Sequence, residues 1–447
     1  MENIKYSIII PVWNGEAFIA DALKAVYRHP GDEPLEVICV NNASEDNAAT
    51  VIATEFPQVR LLNQPVNLGF AGGVNVGIRQ ASGDTIVLLN QDTIVQPGWL
   101  QALSAELADP TVGIVGCKIF YPDGRIQHAG GIIDARGAAT HIGNGELDTG
   151  QYNQPCDVDF VTGAAMALTT KTLKIIGLLD EGFSPAYYED TDWCFRAKKA
   201  GLRVRYTPDA TVVHAESTST ENIPLAKKTM THTGRLRFLL KHRSVDALQT
   251  EFLPAEQIWL SRLGHSLEML AVREAYLAQM LSLAEMVVWR SKAGLIAPPH
   301  TEQTEWDNLL QLFTTLRQTC LQSEAQTIVG DNNPTTNFLT PTSNHHWQEL
   351  QDFWQLQEHT FRSSIPGLAF LRTIWYNIAA RWADVWLMNQ QTKVNWAVKN
   401  LMSTLAQAVG PTTDQTLREI NLLAQRVVEL EQQVAVLQKK LQKKQSE

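Results

Sequence analysis

A chain of 447 residues predicts two or three structural units rather than one, and an apolar content of 44% is enough to build a sizeable core. The net charge of −10 excludes a general nucleic-acid binder, so no nucleic-acid partner is expected. The five cysteines are scattered without a C-x-x-C pair, which excludes a cysteine zinc site and points to a reducing compartment.

The opening MENIKYSIIIPVWNG has too short an apolar core for a signal peptide, and no run of about 18 apolar residues predicts a spanning helix. A cytoplasmic protein is expected. Residues 7–10 read as a buried strand ended by Pro11. Residues 16–27 have helical spacing, with Phe18, Ala22, Leu23 and Val26 on one side. Residues 35–40 read as a second strand, followed by a turn into a helix capped by Ser44 or Asn42. Residues 59–62 and 85–89 read as the third and fourth strands. Alternation of this kind predicts βαβ units and a mostly parallel sheet. Residues 110–170 are rich in turn signals and read as short strands and loops. Late strands are expected at 202–206 and 211–213.

The texture changes after about residue 220. Nine of the twelve tryptophans lie beyond residue 250, which marks a different unit with helical spacing. A polar, Pro-bearing linker is expected near 330–344. Ile374, Trp375, Ile378, Trp382, Val385 and Trp386 share one helical face, which reads either as a core helix of an accessory bundle or as an interfacial helix. Ile420, Leu423, Val427, Leu430, Val434, Leu437 and Leu441 form a heptad seam of roughly three repeats, which predicts a homo-oligomeric coil. A basic tail, QKKLQKKQ, follows it.

Four groups of residues carry chemistry. Asn90-Gln91-Asp92 follows an apolar run, at the strand end where ligands of open sheets gather. Its oxygens suit a divalent cation on a diphosphate, or else Asp92 caps the next helix. Residues 67–75 form a Gly-rich turn entering a helix, either a close approach to phosphate or a tight turn packed on the sheet. Glu189, Asp190 and Asp192 are either a carboxylate cluster that tunes a general base or first-turn helix charge. His214 ends an apolar run, as a hydrogen-bonding residue or a metal ligand.

These segments occur together with SIIIPVWNG, VNNASED, NLGFAGGVNVGI, LLNQDT, FVTGAAM, DEGFSPAYYEDTDWCFRAKKAG and the 208–214 stretch. In that order they resemble family 2 glycosyltransferases, in the bacterial rhamnosyltransferase-like and galactofuranosyltransferase-like branch, over residues 5 to about 220. The resemblance implies the GT-A fold, a Rossmann-like, mostly parallel α/β sheet flanked by helices. It implies a division into a glycosyltransferase domain at 1–245, a helical accessory region at 246–410 and a coiled coil with basic tail at 411–447.

Residue by residue, the resemblance implies that Pro11, Asn14, Glu16 and Asn41 line the nucleoside pocket, and that Asn75, Asn90, Gln91 and Asp92 complete the donor side. Asp92 and His214 would hold Mg2+ or Mn2+. Asp190 matches the general base, Gly163 and Ala164 would sit at the acceptor side, and Glu189 and Asp192 would contact the acceptor or orient the base. Asn90 and Asn41 depart from the family's aspartates and carry no charge. The implied activity is inverting transfer of a sugar, rhamnose-like, from a dTDP- or UDP-sugar to a glycan or lipid-linked acceptor in cell-surface polysaccharide synthesis, with peripheral membrane contact. A sugar nucleotidyltransferase would need a Gly-rich, Lys-bearing loop after the first strand, where this chain has PVWNG. Against a silent GT-A scaffold stand intact Asp92, Asp190 and His214.

Overall fold

A computed structural model describes residues 5–215, 224–264, 266–296 and 300–330. The chain clusters into two compact units, Met1–Met280 with Met286–Thr327, and Leu281–Glu285 with Ile328–Glu447. The fold and the site belong to the first. The linker near 330–344, the Trp-rich face and the heptad seam lie outside the described residues, and so do the oligomer and membrane expectations placed on them.

Apolar runs form the centre of the sheet. Strands β1 (Tyr6–Val12), β2 (Leu35–Asn41), β3 (Arg60–Asn63) and β4 (Thr85–Leu89) are parallel, in the order β3-β2-β1-β4. They alternate with α1 (Ile19–Arg28), α2 (Ala48–Glu55) and α3 (Gly69–Gln80). Pro11 does not end β1, which continues to Val12. Asn42 N donates to Val12 O, so Val12 faces β2 and Pro11, by alternation, faces the β4 side. There β4 pairs only with residues 6–9, so the missing N–H leaves no ladder bond unmade. Helix α2 begins at Ala48, beyond the caps expected at Asn42 and Ser44. Those two side chains brace loops instead.

Most of the Gly-rich segment is the start of α3, packed on the sheet. A Cβ on Gly77 would meet Val40 at 3.2 Å, and one on Gly73 would meet Asn42 Nδ2 at 3.3 Å, so the glycines let α3 approach β1 and β2. Successive β1 residues feed two cores. Ile8, Ile10 and Val12 join α1, Trp99 and Leu103, whereas Ile9 joins α3 and Trp193.

The chain continues through β5 (Thr93–Val95), α4 (Trp99–Leu107), β6 (Val112–Phe120), β7 (Ile126–His128), β8 (Gly131–Ile133), β9 (Ala139–His141), β10 (Cys156–Asp157), β11 (Ala165–Thr169), α5 (Thr170–Ile176), α6 (Glu189–Lys199) and β12 (Arg203–His214). The two late strands expected from sequence are one strand, β12, with an irregularity after Thr207. β11 lies antiparallel between β4 and β6, and β6 is parallel to β12. The sheet is therefore mixed, with its parallel core in the first four strands.

Helices then take over: α7 (Pro224–His242), α8 (Val245–Ala247), a π-helical turn at Leu248–Phe252, α9 (Leu253–Leu260), α10 (Leu267–Lys292) and α11 (Glu302–Gly330). The first unit runs on through residue 245. Arg235 of α7 donates to both carboxylate oxygens of Glu256 in α9 (2.9 and 2.5 Å), and Tyr276 Oη of α10 donates to the same carboxylate (2.5 Å). Among the described residues no helix is long and apolar enough to cross a membrane.

Candidate active site

Loops leave the carboxyl ends of β1, β2 and β4 side by side, the position that favours ligands in open α/β sheets. Gln91 holds the loop after β1: Trp13 N donates to its Oε1 and its Nε2 donates to Trp13 O, both at 3.0 Å. Asn14 takes φ +48° and its Oδ1 accepts from Glu45 N (2.9 Å). The Glu16 carboxylate accepts from Asn47 N (3.1 Å). Asn41 Nδ2 donates to Asn63 Oδ1 (2.9 Å), and Asn41 Oδ1 accepts from Ser44 N (3.0 Å). Pro11, Asn14, Glu16 and Asn41 thus share one sheet end.

Asn75 is elsewhere. It is buried in α3, where its Nδ2 donates to Leu179 O (3.0 Å) and Glu181 Oε1 (2.9 Å) and its Oδ1 accepts from Leu179 N (3.1 Å). Its amide ties α3 to the 179–181 loop.

At the end of β4, pairing of β5 with β12 sets His214 opposite Thr93, the residue after Asp92. His214 Nε2 lies 3.2 Å from Asp92 Oδ1, and both residues are buried. Gln127 Oε1 sits 2.7 Å from His214 Nδ1, which assigns the ring proton to Nδ1. Nε2 then accepts from Asn90 Nδ2 (3.3 Å) and faces a carboxylate oxygen, while Asn90 Oδ1 is buried without a partner. Two electron-rich atoms in contact, beside an orphaned amide oxygen, form a donor set that fits a hard divalent cation. Among the described residues no group of three or more His, Cys, Asp and Glu is arranged for a metal, so the pair needs the Asn90 amide or a ligand's own oxygens to complete it.

The antiparallel entry of β11 joins this end to the second acidic stretch. Ala165 lies opposite Leu89, and Asn90 N donates to Ala164 O (2.9 Å). The preceding amide, Gly163 N, donates to Asp190 Oδ2 (2.8 Å). Asp190 Oδ1 accepts from Thr191 N (2.6 Å) and Oγ1 (3.2 Å). Two acidic stretches a hundred residues apart in sequence therefore meet across the backbone of Gly163 and Ala164. A Cβ on Gly163 would stand 3.3 Å from the Phe70 ring and 3.5 Å from Asp190 Cβ, so glycine keeps this junction narrow.

The three carboxylates of α6 have three environments. Asp190 is half-buried at the helix start. Glu189 is buried, with Oε2 unpartnered, and burial together with the neighbouring Asp190 charge pushes its carboxyl well above the usual range. Asp192 is fully buried and accepts from Lys241 Nζ (2.6 Å), His242 Nε2 (2.8 Å) and Arg196 Nε (2.9 Å). Its oxygens are committed to α7 and α6. Gln127, Lys241 and His242 carried no signal in the sequence reading, since nothing local marks which distant side chain a buried carboxylate or ring will meet.

Residues 7–171 match the model of glycosyl transferase family 2. The O-antigen biosynthesis protein RfbC of Myxococcus xanthus is 31% identical over 229 residues, which cover 48% of this chain and 18% of that protein. The N-acetylglucosaminyl-diphospho-decaprenol L-rhamnosyltransferase of Mycobacterium tuberculosis is 28% identical over 254 residues, 51% of this chain and 80% of that enzyme. An uncharacterized Sinorhizobium fredii protein, y4gI, is 30% identical over 226 residues, 48% of this chain and 24% of its own length. The chain thus spans about a quarter or less of y4gI and RfbC. Among solved structures, a mannosyltransferase from Pyrobaculum calidifontis in complex with GDP-Man and Mn2+ aligns with a TM-score of 0.41 at 18% identity, over 70% of this chain and 87% of that one.

Proposed function

We propose that this chain, whose N-terminal part is a family 2 glycosyltransferase domain, transfers a sugar from a nucleoside-diphosphate donor to a glycan or lipid-linked acceptor by a single inverting displacement. The observation that carries the reading is the junction through Gly163 and Ala164, which sets the Asp92–His214 end against Asp190. The donor's base and ribose would occupy the end of β1 and β2 at Pro11, Asn14, Glu16 and Asn41, in a loop braced by Gln91. Asp190 would take the proton of the acceptor hydroxyl while that oxygen bonds to the anomeric carbon and the nucleoside diphosphate departs. Asp92 and His214, with the Asn90 oxygen, would hold Mg2+ or Mn2+. A cation bound there supplies charge neutralisation to the departing diphosphate. Burial and the neighbouring Asp190 charge push the Glu189 carboxyl well above its usual range, which favours its neutral form beside Asp190. The names of the relatives support a rhamnose-like sugar and a role in cell-surface polysaccharide synthesis, and the donor would be a dTDP- or UDP-sugar. Residues 1–245 would form the catalytic part and 246–410 an accessory part, with peripheral contact at a membrane.

The test is release of nucleoside diphosphate from a panel of dTDP- and UDP-sugars. Asp190→Asn is expected to lose about 10²–10⁴-fold in turnover while its affinity for the donor stays near that of the wild type. Turnover at the wild-type rate refutes the base.

A further inference from the structure

Helix α7 starts some fifty residues beyond the segment that matches the family model, yet it packs on the turn that leads into Asp190. Tyr187 and Tyr188 take φ of +82° and +76°, left-handed values that bulky side chains rarely adopt. A Cβ on Gly234 of α7 would stand 2.5 Å from Tyr187 O and 3.2 Å from Tyr188 Cβ, so the α7 backbone lies directly against the turn. Tyr188 Oη donates to Gly137 O (2.9 Å) and accepts from Ala139 N (3.0 Å). Phe238 of α7 sets its ring 6.1 Å from that of Tyr188 and 5.2 Å from that of Phe195.

On the other side of Asp190 the same helix supplies Lys241 and His242 to Asp192. It also supplies Arg237 and Lys241 to Asp180, which precedes the turn (3.0 and 2.9 Å). Asp190 therefore sits between two anchor points on one helix, Gly234 before it and the Lys241–His242 pair after it. Its own carboxylate rests on Gly163 N and Thr191, so a small rotation of the first turn of α6 would carry Oδ2 off Gly163 N.

We propose that α7 is a positioning element of the acceptor side: through Gly234 on the 187–188 turn, and through Lys241 and His242 on Asp192, it sets where the Asp190 carboxylate points. The inference rests on the reading of Asp190 as the base. It deepens that reading by extending the working site into the helical region. Lys241, His242 and Gly234 touch no reacting atom and act through α6.

The reporter is the Gly163 amide proton, observed by NMR in the full chain labelled at glycine, with Asp190→Asn as the reference for a lost carboxylate. Gly234→Ala, and separately the Lys241→Gln/His242→Gln double variant, are expected to move the Gly163 signal at least half of the way to that reference. The Gly77 signal in α3 is expected to stay in place. Melting curves recorded in parallel read the structural loss. Two independent variants are used so that one poorly folded chain does not decide the result. A folded variant that melts lower but leaves Gly163 unmoved overturns the proposal, because a role confined to stability would do that. Turnover of Asp190→Asn reads the base separately: a moved Gly163 with an active Asp190→Asn keeps the positioning role and removes the base.

Discussion

Replacing Asp192 by Asn keeps the shape of a fully buried side chain and removes its charge. In the native chain Oδ1 accepts from Lys241 and His242 and Oδ2 from Arg196. Burial holds His242 below its ordinary value, so near neutrality it donates as a neutral ring and the facing charges are those of Lys241 and Arg196. Removing one side of a buried ion pair costs about 3–5 kcal/mol. Here two compensations remain. Lys241 keeps Asp180 at 2.9 Å, and Arg196 keeps the carbonyls of Ile176 and Leu178. The expected loss is therefore at the low end, about 3 kcal/mol, which for a unit of this size lowers Tm on the order of 5 °C. Burial pushes the Asp192 carboxyl up, but the His242 hydrogen bond and the Lys241 and Arg196 charges outweigh it, so its pKa lies below the usual range. A depressed folded pKa contributes stability above the unfolded value of about 3.9, and that contribution is lost as pH falls through the folded value. Urea melts of the full chain at neutral pH and in acid read both claims. The gap between the two chains is expected to be constant near neutrality and to close below about pH 4. A gap under about 0.5 kcal/mol at neutral pH, the ordinary spread of surface substitutions, refutes the cluster as described.

Three further outcomes follow. Glu189 has the opposite sign: its raised folded pKa contributes stability below the unfolded value of about 4.3, lost as pH rises through the folded value. Glu189→Gln should therefore gain on the wild type with rising pH, by about 1.4 kcal/mol per unit across that window, and parallel melt-versus-pH curves would sink the idea. Asp92→Ala and His214→Ala should each abolish stimulation of donor hydrolysis by added Mn2+, and a retained metal response in either variant removes that residue from the metal end. Gln91→Ala deletes both bonds to Trp13, each worth about 0.5–1.5 kcal/mol, so UDP or dTDP binding measured by calorimetry should weaken roughly tenfold. An unchanged dissociation constant means that the loop needs no brace.

The sequence was most legible where one local pattern decides the structure. The apolar run before Asn90 is β4 to the residue, because a strand buried on both faces leaves no room for polar side chains. The spacing of Ala22, Leu23 and Val26 likewise buries one side of α1. Legibility failed where partners are distant. Pro11 reads as a strand end only if β4 is assumed to run alongside it, and β4 stops short. Asn42 and Ser44 read as caps because both often are. Asn42 instead donates to Asn67 Oδ1 and Gly69 O, 25 and 27 residues away, and accepts from Leu68 N, which holds the Gly-rich turn.

The carboxylates of α6 show the same limit at the site itself. Three acids in four positions look alike in sequence, and proximity alone would make any of them a base or a helix-start charge. Side-chain direction separates them. A helix turns about 100° per residue, so Glu189, Asp190 and Asp192 face different neighbours: a buried interior, the Gly163 amide, and Lys241 and His242 of α7. Burial and the neighbouring Asp190 charge push the first carboxyl well above the usual range, and the bonds from Lys241, His242 and Arg196 commit the oxygens of the third. The second alone of the three is not fully buried. The base we propose is thus set apart from Asp192 by partners that lie far away in sequence: Lys241 and His242 stand beyond residue 220, where the strand-rich texture of the sequence has already faded.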